Sequence, residues 1–512
     1  MTPESRPISQ DSRILIVGAG PTGLGAGYRL KELGHRNFTL VDRHPYIGGL
    51  AASFTDPLGF TWDIGGHVMF SHYEYYDRLF ESLMGDEFSM IERETWVRAD
   101  KRWVPYPFQN NIRYLSKEAS LECIAGLVKA QSAAGGPAAA IAQAANFEQF
   151  MNAAFGEGIV RLFMRPYNFK VWAHPAEMMG KDWIGQRVAV VDVQRALRNL
   201  VLGLDDFGWG PNNRFKFPLR GGTGEFYRRI GATLGEHVHL NRGVSKIDVD
   251  RSIVHFADGS TTPFDALLSA MPVDVLCRDV LVGNVPDSVR DAAAKLRHSG
   301  GYMVGIGIKR PGGTPSTRSW MYFADDDCPF YRVTYLSNYS PFMTPDRENY
   351  YSFLCEVSYS DFKPAIPKGE VIEAVIQGLE NAGLLQPGER ENIVSTWLYD
   401  AAYAYPTPTV DRDQHLSVLI PWLESRGVYS RGRFGMWKYE VANTDHSIMQ
   451  GVEWANRMLL GEPEKTIGIR YAATDEGRTI VQHDRASVAG SGQPQVEVKA
   501  SNRQGQRTEA PI

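Results

Sequence analysis

Six residues near the N-terminus, Gly18-Ala19-Gly20-Pro21-Thr22-Gly23, restrict the fold of this chain more than any other stretch. They follow the short apolar run Ile14-Leu15-Ile16-Val17, after which Leu24, Tyr28, Leu30 and Leu33 recur at roughly helical spacing up to Gly34. Strand, glycine turn and helix are expected in that order. Phe38-Thr39-Leu40-Val41 predicts a second buried strand, and it closes on Asp42. This spacing is the dinucleotide-binding fingerprint. Gly18 makes the tight turn, Gly20 lets a pyrophosphate approach the backbone, and Gly23 admits close packing of the helix. The helix N-terminus then faces the anion, and Asp42 accepts from a ribose hydroxyl.

The dinucleotide is expected to be FAD rather than NAD. A glycine doublet with a following leucine, Gly48-Gly49-Leu50, comes soon after Asp42, and Asp63-Ile64-Gly65-Gly66-His67 follows. So much bare backbone suits a long cofactor whose pyrophosphate and isoalloxazine both need close approach. His67 has two readings, a hydrogen-bonded core histidine or a residue beside the flavin, and its glycine context favours the second.

The rest of the chain predicts an α/β protein with a Rossmann-like FAD-binding domain assembled from discontinuous segments, a helical insertion domain and a mostly antiparallel β-sheet domain. The expected boundaries are 9–95, 208–273 and 425–485 for the FAD domain, 107–206 for the helical domain and 274–424 for the sheet domain. Phe264 to Pro272 is expected to return as a strand to the dinucleotide sheet. Asn443-Thr444-Asp445 predicts the cap of a helix that ends at Gly461. Residues 486–512 contain no aromatic residue and no leucine, so that tail is expected to be disordered. A net charge of −5 gives no global reason to bind nucleic acid or an anionic membrane. The four cysteines form no CxxC pair, and no metal site is expected. The absence of a long apolar run or a leader-like N-terminus predicts a soluble cytoplasmic protein.

What the glycine pattern does not absorb is a set of rings interleaved with amides and cations. The densest run is Phe163-Met164-Arg165-Pro166-Tyr167-Asn168-Phe169-Lys170-Val171-Trp172, followed by Arg187. Tyr106, Gln109, Phe163, Tyr167, Asn168 and Trp172 suit a stacked, hydrogen-bonded nucleobase. Arg187, Arg332, Tyr339, Tyr405 and Tyr439 suit a diphosphate, because guanidinium forks match phosphate oxygens and phenols donate without adding charge. A second nucleotide ligand beside the flavin is therefore expected. An all-core reading of the dense run would have to bury Arg165, Asn168 and Lys170 unpaired.

These runs carry a resemblance. WVPYPFQNNI (Trp103 to Ile112), FMRPYNFKVWA (Phe163 to Ala173), RGGTG (Arg220 to Gly224), CPFYR (Cys328 to Arg332), SNYSP (Ser337 to Pro341), YPTPT (Tyr405 to Thr409) and SRGRFG (Ser430 to Gly435) make the sequence similar to eukaryotic-type UDP-galactopyranose mutases. The resemblance implies a non-redox isomerase that uses reduced FAD. It interconverts UDP-galactopyranose and UDP-galactofuranose by attack of flavin N5 on the anomeric carbon, with UDP as leaving group. It implies Arg187 and Arg332 as the catalytic pair on the diphosphate, joined there by Tyr322, Tyr339, Tyr405 and Tyr439. Tyr106, Gln109, Asn168 and Trp172 would hold uridine, and Trp320, Asn212 and Asn443 would lie near the sugar or flavin. His67 would answer the flavin redox state, with Arg93 and Arg433 touching the cofactor. The expected cofactor set is completed by Gly66, Val244, Thr444 and Ser447. NADPH or NADH is the expected reductant, and a homo-oligomer is an open possibility. Rival readings are a mutase of the same mechanism on UDP-arabinose, UDP-N-acetylgalactosamine or a deoxyhexose, an amine-oxidase-like or desaturase-like oxidoreductase, and a non-catalytic sensor.

Overall fold

The computed structural model describes residues 7–132, 135–188, 191–207, 213–473, 479–483 and 497–499. Strand Ile14–Val17 is fully buried between Phe38–Val41 and Ala266–Ser269, and Val238–His239 and Val428–Ser430 extend the sheet at its edges. All four pairings are parallel. Such a sheet must be covered on both faces, which is why its strands read as unbroken apolar runs. Ile14, Ile16 and Leu40 pack against helices Pro21–Glu32, Gly224–Leu234 and Thr444–Leu460. Leu15, Val17 and Val41 face the other way, onto the Val244–Phe256 hairpin and helices Asp287–Lys295 and Arg412–Ser425. The return of the chain into this sheet at Ala266–Ser269 is the one the sequence predicts.

Glycines set how closely the helices approach. A Cβ on Gly25 would lie 2.4 Å from the Ile448 carbonyl oxygen, and one on Gly451 would lie 2.0 Å from that of Thr22. The two helices run the same way, since Arg29 Nε donates to Asn456 Oδ1 at 2.7 Å while Thr22 meets Gly451. Both therefore begin at the same end of the domain, beside the Gly18 turn. Gly451→Ala is expected to lower stability by about 1–3 kcal/mol through overpacking and to reduce bound-cofactor content, measured by thermal unfolding and by absorbance of the purified protein.

The second sheet has seven strands, in the order Ile393–Pro406, His298–Lys309, Tyr350–Tyr359, Arg332–Tyr335, Trp320–Phe323, Thr95–Ala99, Arg102–Pro105. It is antiparallel except where Trp320–Phe323 pairs with Thr95–Ala99. One expected boundary moves, and a stretch assigned to no domain finds its place. The strands at 95–105 belong to this sheet, because pairing with Trp320–Phe323 satisfies their backbone groups. Residues 274–296, expected to open the sheet domain, place Leu276, Val280, Val289 and Leu296 in the core of the dinucleotide domain instead.

The helical insertion runs through Lys117–Gln131, Gly136–Gln143, Phe147–Ile159, a π turn at Val160–Met164, Arg165–Trp172 and Val193–Leu202. Its core of Phe108, Phe147, Met151, Phe155, Ile159, Phe163 and Trp172 is continuous with Tyr331 of the sheet. Ile469–Ala473, Thr479–His483 and Glu497–Lys499 form a three-stranded antiparallel sheet. Glu497–Lys499 thus departs from the expected disorder of the tail; the rest of 486–512 lies outside the described residues. Among the described residues no helix is long and apolar enough to cross a membrane.

Candidate active site

The glycine turns build a cradle of bare backbone. Gly18 sits at φ +112°, and a Cβ on Gly49 would fall 3.2 Å from Gly20 Cα, so the fingerprint loop and the Gly48-Gly49 doublet touch. The Gly48 N–H donates to the Ala19 carbonyl at 2.9 Å. Asp42 shapes the same loop, accepting from the Ala19 N–H at 2.7 Å and the His44 N–H at 2.8 Å. Two abutting glycine turns at the start of a helix leave bare backbone that fits a pyrophosphate. Gly18, Gly20, Gly23, Asp42, Gly48, Gly49 and Leu50 converge here. Val244 opens the adjoining hairpin, joined to the Asp42 strand where the Arg242 N–H donates to the Asp42 carbonyl at 2.7 Å.

The second feature is a cavity of about 110 Å³ between the helical insertion and the sheet. Tyr106, Gln109, Phe163, Tyr167, Asn168, Trp172, Arg187, Tyr322 and Tyr439 line it, so the expected base-binding set and part of the diphosphate set come together. Met164, Val171, Trp183 and Val188 line it too and were not anticipated. Trp183 stands edge-on to both Trp172 and Tyr439. Its signal was weak, because a lone Trp in an irregular stretch has no periodicity to betray its direction. Asn168 Nδ2 donates to its own helix, at the Met164 carbonyl 2.7 Å away.

Arg187 donates to the carbonyls of Tyr439 at 2.8 Å and Glu440 at 3.1 Å and to Asn443 Oδ1 at 3.1 Å, with its guanidinium 4.5 Å from the Tyr439 ring centre. Asn443 stands at the expected N-cap, but its side chain makes no capping bond. Its amide oxygen is used on Arg187 instead. Helix Thr444–Leu460 is tied to the segment before helix Glu74–Met84 by Asp445, whose carboxylate lies 2.7 Å from His72 Nδ1 and 3.1 Å from His446 Nδ1 in its own helix. Burial alone would raise the Asp445 carboxyl, yet the two imidazoles hold it well below the usual range. Thr444 and Ser447 occupy the first turn of this helix, and the Ser447 N–H donates to the Asn443 carbonyl.

Arg332 has a different setting. It forms a two-pronged pair with Glu356, Nε to Oε1 at 2.6 Å and Nη2 to Oε2 at 2.8 Å. The same carboxylate accepts from the Gly66 N–H at 3.0 Å and the Tyr331 hydroxyl at 2.6 Å. Burial opposes both charges, but the pair holds Glu356 below and Arg332 well above their ordinary ranges. Gly66 lies against the guanidinium, since a Cβ there would fall 3.6 Å from Arg332 Cζ. His67 follows, its pKa pushed down to about 4 by burial and then by Arg433 and Arg332. The imidazole is therefore neutral at pH 7. His67 Nδ1 and the Tyr339 hydroxyl are buried with no hydrogen-bond partner among the described residues, as groups that face a ligand would be.

Aromatic and cationic contacts join the cavity to the Arg332–Glu356 pair. Tyr405 Oη lies 3.4 Å from Tyr331 Oη, and Arg433 sits 4.8 Å over the Tyr405 ring and 5.7 Å from that of Tyr439. Arg433 is fixed by the carbonyls of Ala404 and Ala442. Arg93 lies over Tyr106 and Trp320, and the Trp320 ring packs on Phe215. Asn212 lies outside the described residues. Arg165 and Lys170 leave the site: Arg165 pairs with Glu148, and Lys170 Nζ donates to the carbonyls of Asp325 at 2.7 Å and Cys328 at 2.8 Å. Both are satisfied in the framework, so the argument that a structural role would bury them unpaired does not hold for either. Glu356 was the functional residue missed. Its signal was a carboxylate inside the apolar strand Tyr350–Tyr359.

Glu356→Gln is expected to weaken the pair while keeping shape, and to remove the acid sensitivity the pair confers. Because the folded pKa of Glu356 is depressed, its stabilisation is full above the unfolded carboxyl pKa and lost as pH falls through the folded one. Thermal unfolding scanned downward from pH 7 should therefore show a shallower loss of stability in the variant.

The sequence profile of flavin-containing amine oxidoreductases matches residues 21–459. A crystal structure of a reduced UDP-galactopyranose mutase is 43% identical with a TM-score of 0.84, over 89% of this chain and 96% of that one. The cyclohexylamine oxidase of Brevibacterium oxydans IH-35A matches at TM-score 0.63 but 14% identity, over 88% of this chain and 99% of that one, which shows a common fold. Zeta-carotene desaturase of Zea mays is 30% identical over 89 residues, 17% of this chain. A probable zeta-carotene desaturase of Synechococcus elongatus is 39% identical over 61 residues, 12% of this chain. The chain spans 15% and 12% of the lengths of these two curated relatives.

Proposed function

Because the chain belongs to the flavin-containing amine oxidoreductase family and, within it, to the UDP-galactopyranose mutases, we propose that it interconverts UDP-galactopyranose and UDP-galactofuranose with no net redox change. The observation that carries this reading is the chain of contacts from the base-sized cavity through Arg187, Tyr439 and Tyr405 to Tyr331, and from there through Glu356 to Arg332 and Gly66, the neighbour of His67. An oxidase acting on a small amine has no use for such a line. A nucleoside-diphosphate sugar needs all of it.

FAD is the cofactor, held along the glycine cradle and Asp42, and in its reduced form it supplies a nucleophilic nitrogen. The chain's own residues bind, orient and stabilise charge. Phe163, Tyr167 and Trp172 offer faces and edges to uracil, and Gln109 and Asn168 offer amides. Arg187 and Arg332 stabilise the charge that grows on the diphosphate as its bond to the sugar breaks, and pre-oriented guanidiniums do this without reorganising. Tyr322, Tyr339, Tyr405 and Tyr439 add donors and no further charge. Glu356 takes up the Nε and Nη2 edge of Arg332, which fixes the guanidinium beside Gly66, and it holds the Gly66 N–H in the same contact. His67 contributes a neutral hydrogen-bonding group beside two cations. NADPH or NADH would serve as reductant, used once to activate the cofactor.

Incubating the reduced protein with UDP-galactofuranose tests the reading. Conversion to UDP-galactopyranose, followed by anion-exchange chromatography and inhibited by UDP, is expected. No conversion, or equal conversion of sugars lacking the nucleotide, would refute it.

A further inference from the structure

Next to the cavity lies a buried polar knot, none of whose residues lines it, that the functional reading leaves unused. Asn111 is fully buried, Asn110 and Asp206 nearly so. Asn111 and Asp206 bind each other through side chain and main chain: Asn111 Nδ2 donates to the Asp206 carbonyl at 2.8 Å, and the Asp206 N–H donates to Asn111 Oδ1 at 2.9 Å. The same Asn111 amide donates to the carbonyls of Pro107 at 3.0 Å and Pro105 at 3.3 Å. The Asp206 carboxylate accepts from Asn110 Nδ2 at 2.9 Å and Arg195 Nη2 at 2.6 Å, and Asn199 Nδ2 donates to the Asn110 carbonyl at 3.0 Å.

The residues gripped in this way flank those that line the cavity. Pro105 and Pro107 bracket Tyr106, and Asn110 and Asn111 follow Gln109 directly. The turn they belong to is only a pair of short 3₁₀ segments, Phe108–Asn110 and Ile112–Tyr114, which have few hydrogen bonds of their own to hold a shape. Side-chain bonds from the helix Val193–Leu202 and its exit therefore take the place of a ladder. Such a network is specific because an apolar replacement would leave several buried carbonyls and N–H groups unpaired at once.

We propose that Asn111 and Asp206 are positioning residues for base recognition: the knot sets Tyr106 and Gln109 against Phe163, Tyr167 and Asn168, and so fixes affinity for the uracil end of the substrate while leaving the flavin end alone. The inference rests on the UDP-sugar reading above. It separates the two ends of the nucleotide, which a general structural role would not do. Loosening the turn should weaken ligands that carry the base and spare those that carry only phosphates.

The test titrates the FAD-loaded, reduced protein with UDP and with inorganic pyrophosphate, comparing the unmodified chain with Asn111→Ala, Asp206→Ala and Asp206→Asn. Flavin content and thermal unfolding serve as fold controls. For Asn111→Ala the Kd for UDP is expected to rise about tenfold or more, since small misplacements of binding groups are amplified, with pyrophosphate binding within about twofold and kcat at saturating substrate within about threefold. Asp206→Ala should move the same way, and Asp206→Asn should recover most of the affinity because it keeps an acceptor for Asn110. If Asn111→Ala fails to load FAD, Asp206→Ala carries the test. Unchanged UDP affinity in a flavin-loaded variant, or equal loss of UDP and pyrophosphate binding, would overturn the proposal. Failure of the unmodified protein to bind UDP would instead overturn the functional reading on which it stands.

Discussion

Arg332→Ala is expected to lose turnover by about 10²–10³-fold, the loss seen when one pre-oriented charge-stabilising donor is removed, and to lose stability as well. The second loss follows from its partner. Glu356 is 1% exposed and is held ionised by the guanidinium, so the variant leaves a buried carboxylate with only the Tyr331 hydroxyl and the Gly66 N–H. Breaking a buried pair from one side typically costs about 3–5 kcal/mol. Arg332→Lys separates the two effects. Its charge should restore much of the stability, while the single ammonium cannot reproduce the fork that meets both carboxylate oxygens, so turnover should remain low. Initial rates on the reduced protein and thermal unfolding of the same samples check both halves. Wild-type turnover in Arg332→Lys would remove the fork from the account.

Arg187→Ala should give a comparable loss of turnover with little loss of stability. Its guanidinium is held by neutral acceptors alone, two main-chain carbonyls and the Asn443 amide oxygen, in a site open to the cavity. Its removal strands no charge. Neutral hydrogen bonds at such a site contribute about 0.5–1.5 kcal/mol each, and water entering the cavity replaces part of that. A similar fall in rate with opposite consequences for unfolding is thus the signature that distinguishes the two arginines. A large drop in the unfolding temperature of Arg187→Ala would show that its position does more for the framework than its partners indicate.

The contrast also marks what could be read from the chain beforehand. The dinucleotide fold was legible because its requirements are local: turn, strand and helix lie within residues 14–42, and each glycine answers a steric need met by its neighbours. The aromatic and amide residues of the cavity were legible as a group because one short run brings rings and amides together, although Phe163 and Trp172 also belong to the core of the helical insertion. Glu356 was not, because its meaning is set across a strand pair, directly opposite Arg332 in the register. Lys170 and Arg165 misled for the same reason: their partners, the carbonyls at 325 and 328 and the carboxylate of Glu148, come from elsewhere in the chain. The boundary near 274 shifted because the helical turns after it bury their apolar faces on the dinucleotide sheet, and the strands at 95–105 found their place only through pairing with Trp320–Phe323; local pattern records neither partner. Asn111 and Asp206 read as ordinary loop residues until their reciprocal bonds are seen.

The proposed reaction requires reduced flavin to act as a recycled participant and never as an electron donor to the sugar. The most direct measurement counts product against reducing equivalents: anaerobic protein, reduced with one equivalent of dithionite per flavin, is mixed with excess UDP-galactopyranose, and UDP-galactofuranose and the flavin spectrum are followed together. Many products per flavin, with the flavin still reduced at the end and the oxidised protein inert, is the predicted result. One product or fewer per reducing equivalent, with the flavin oxidised in step, would contradict it.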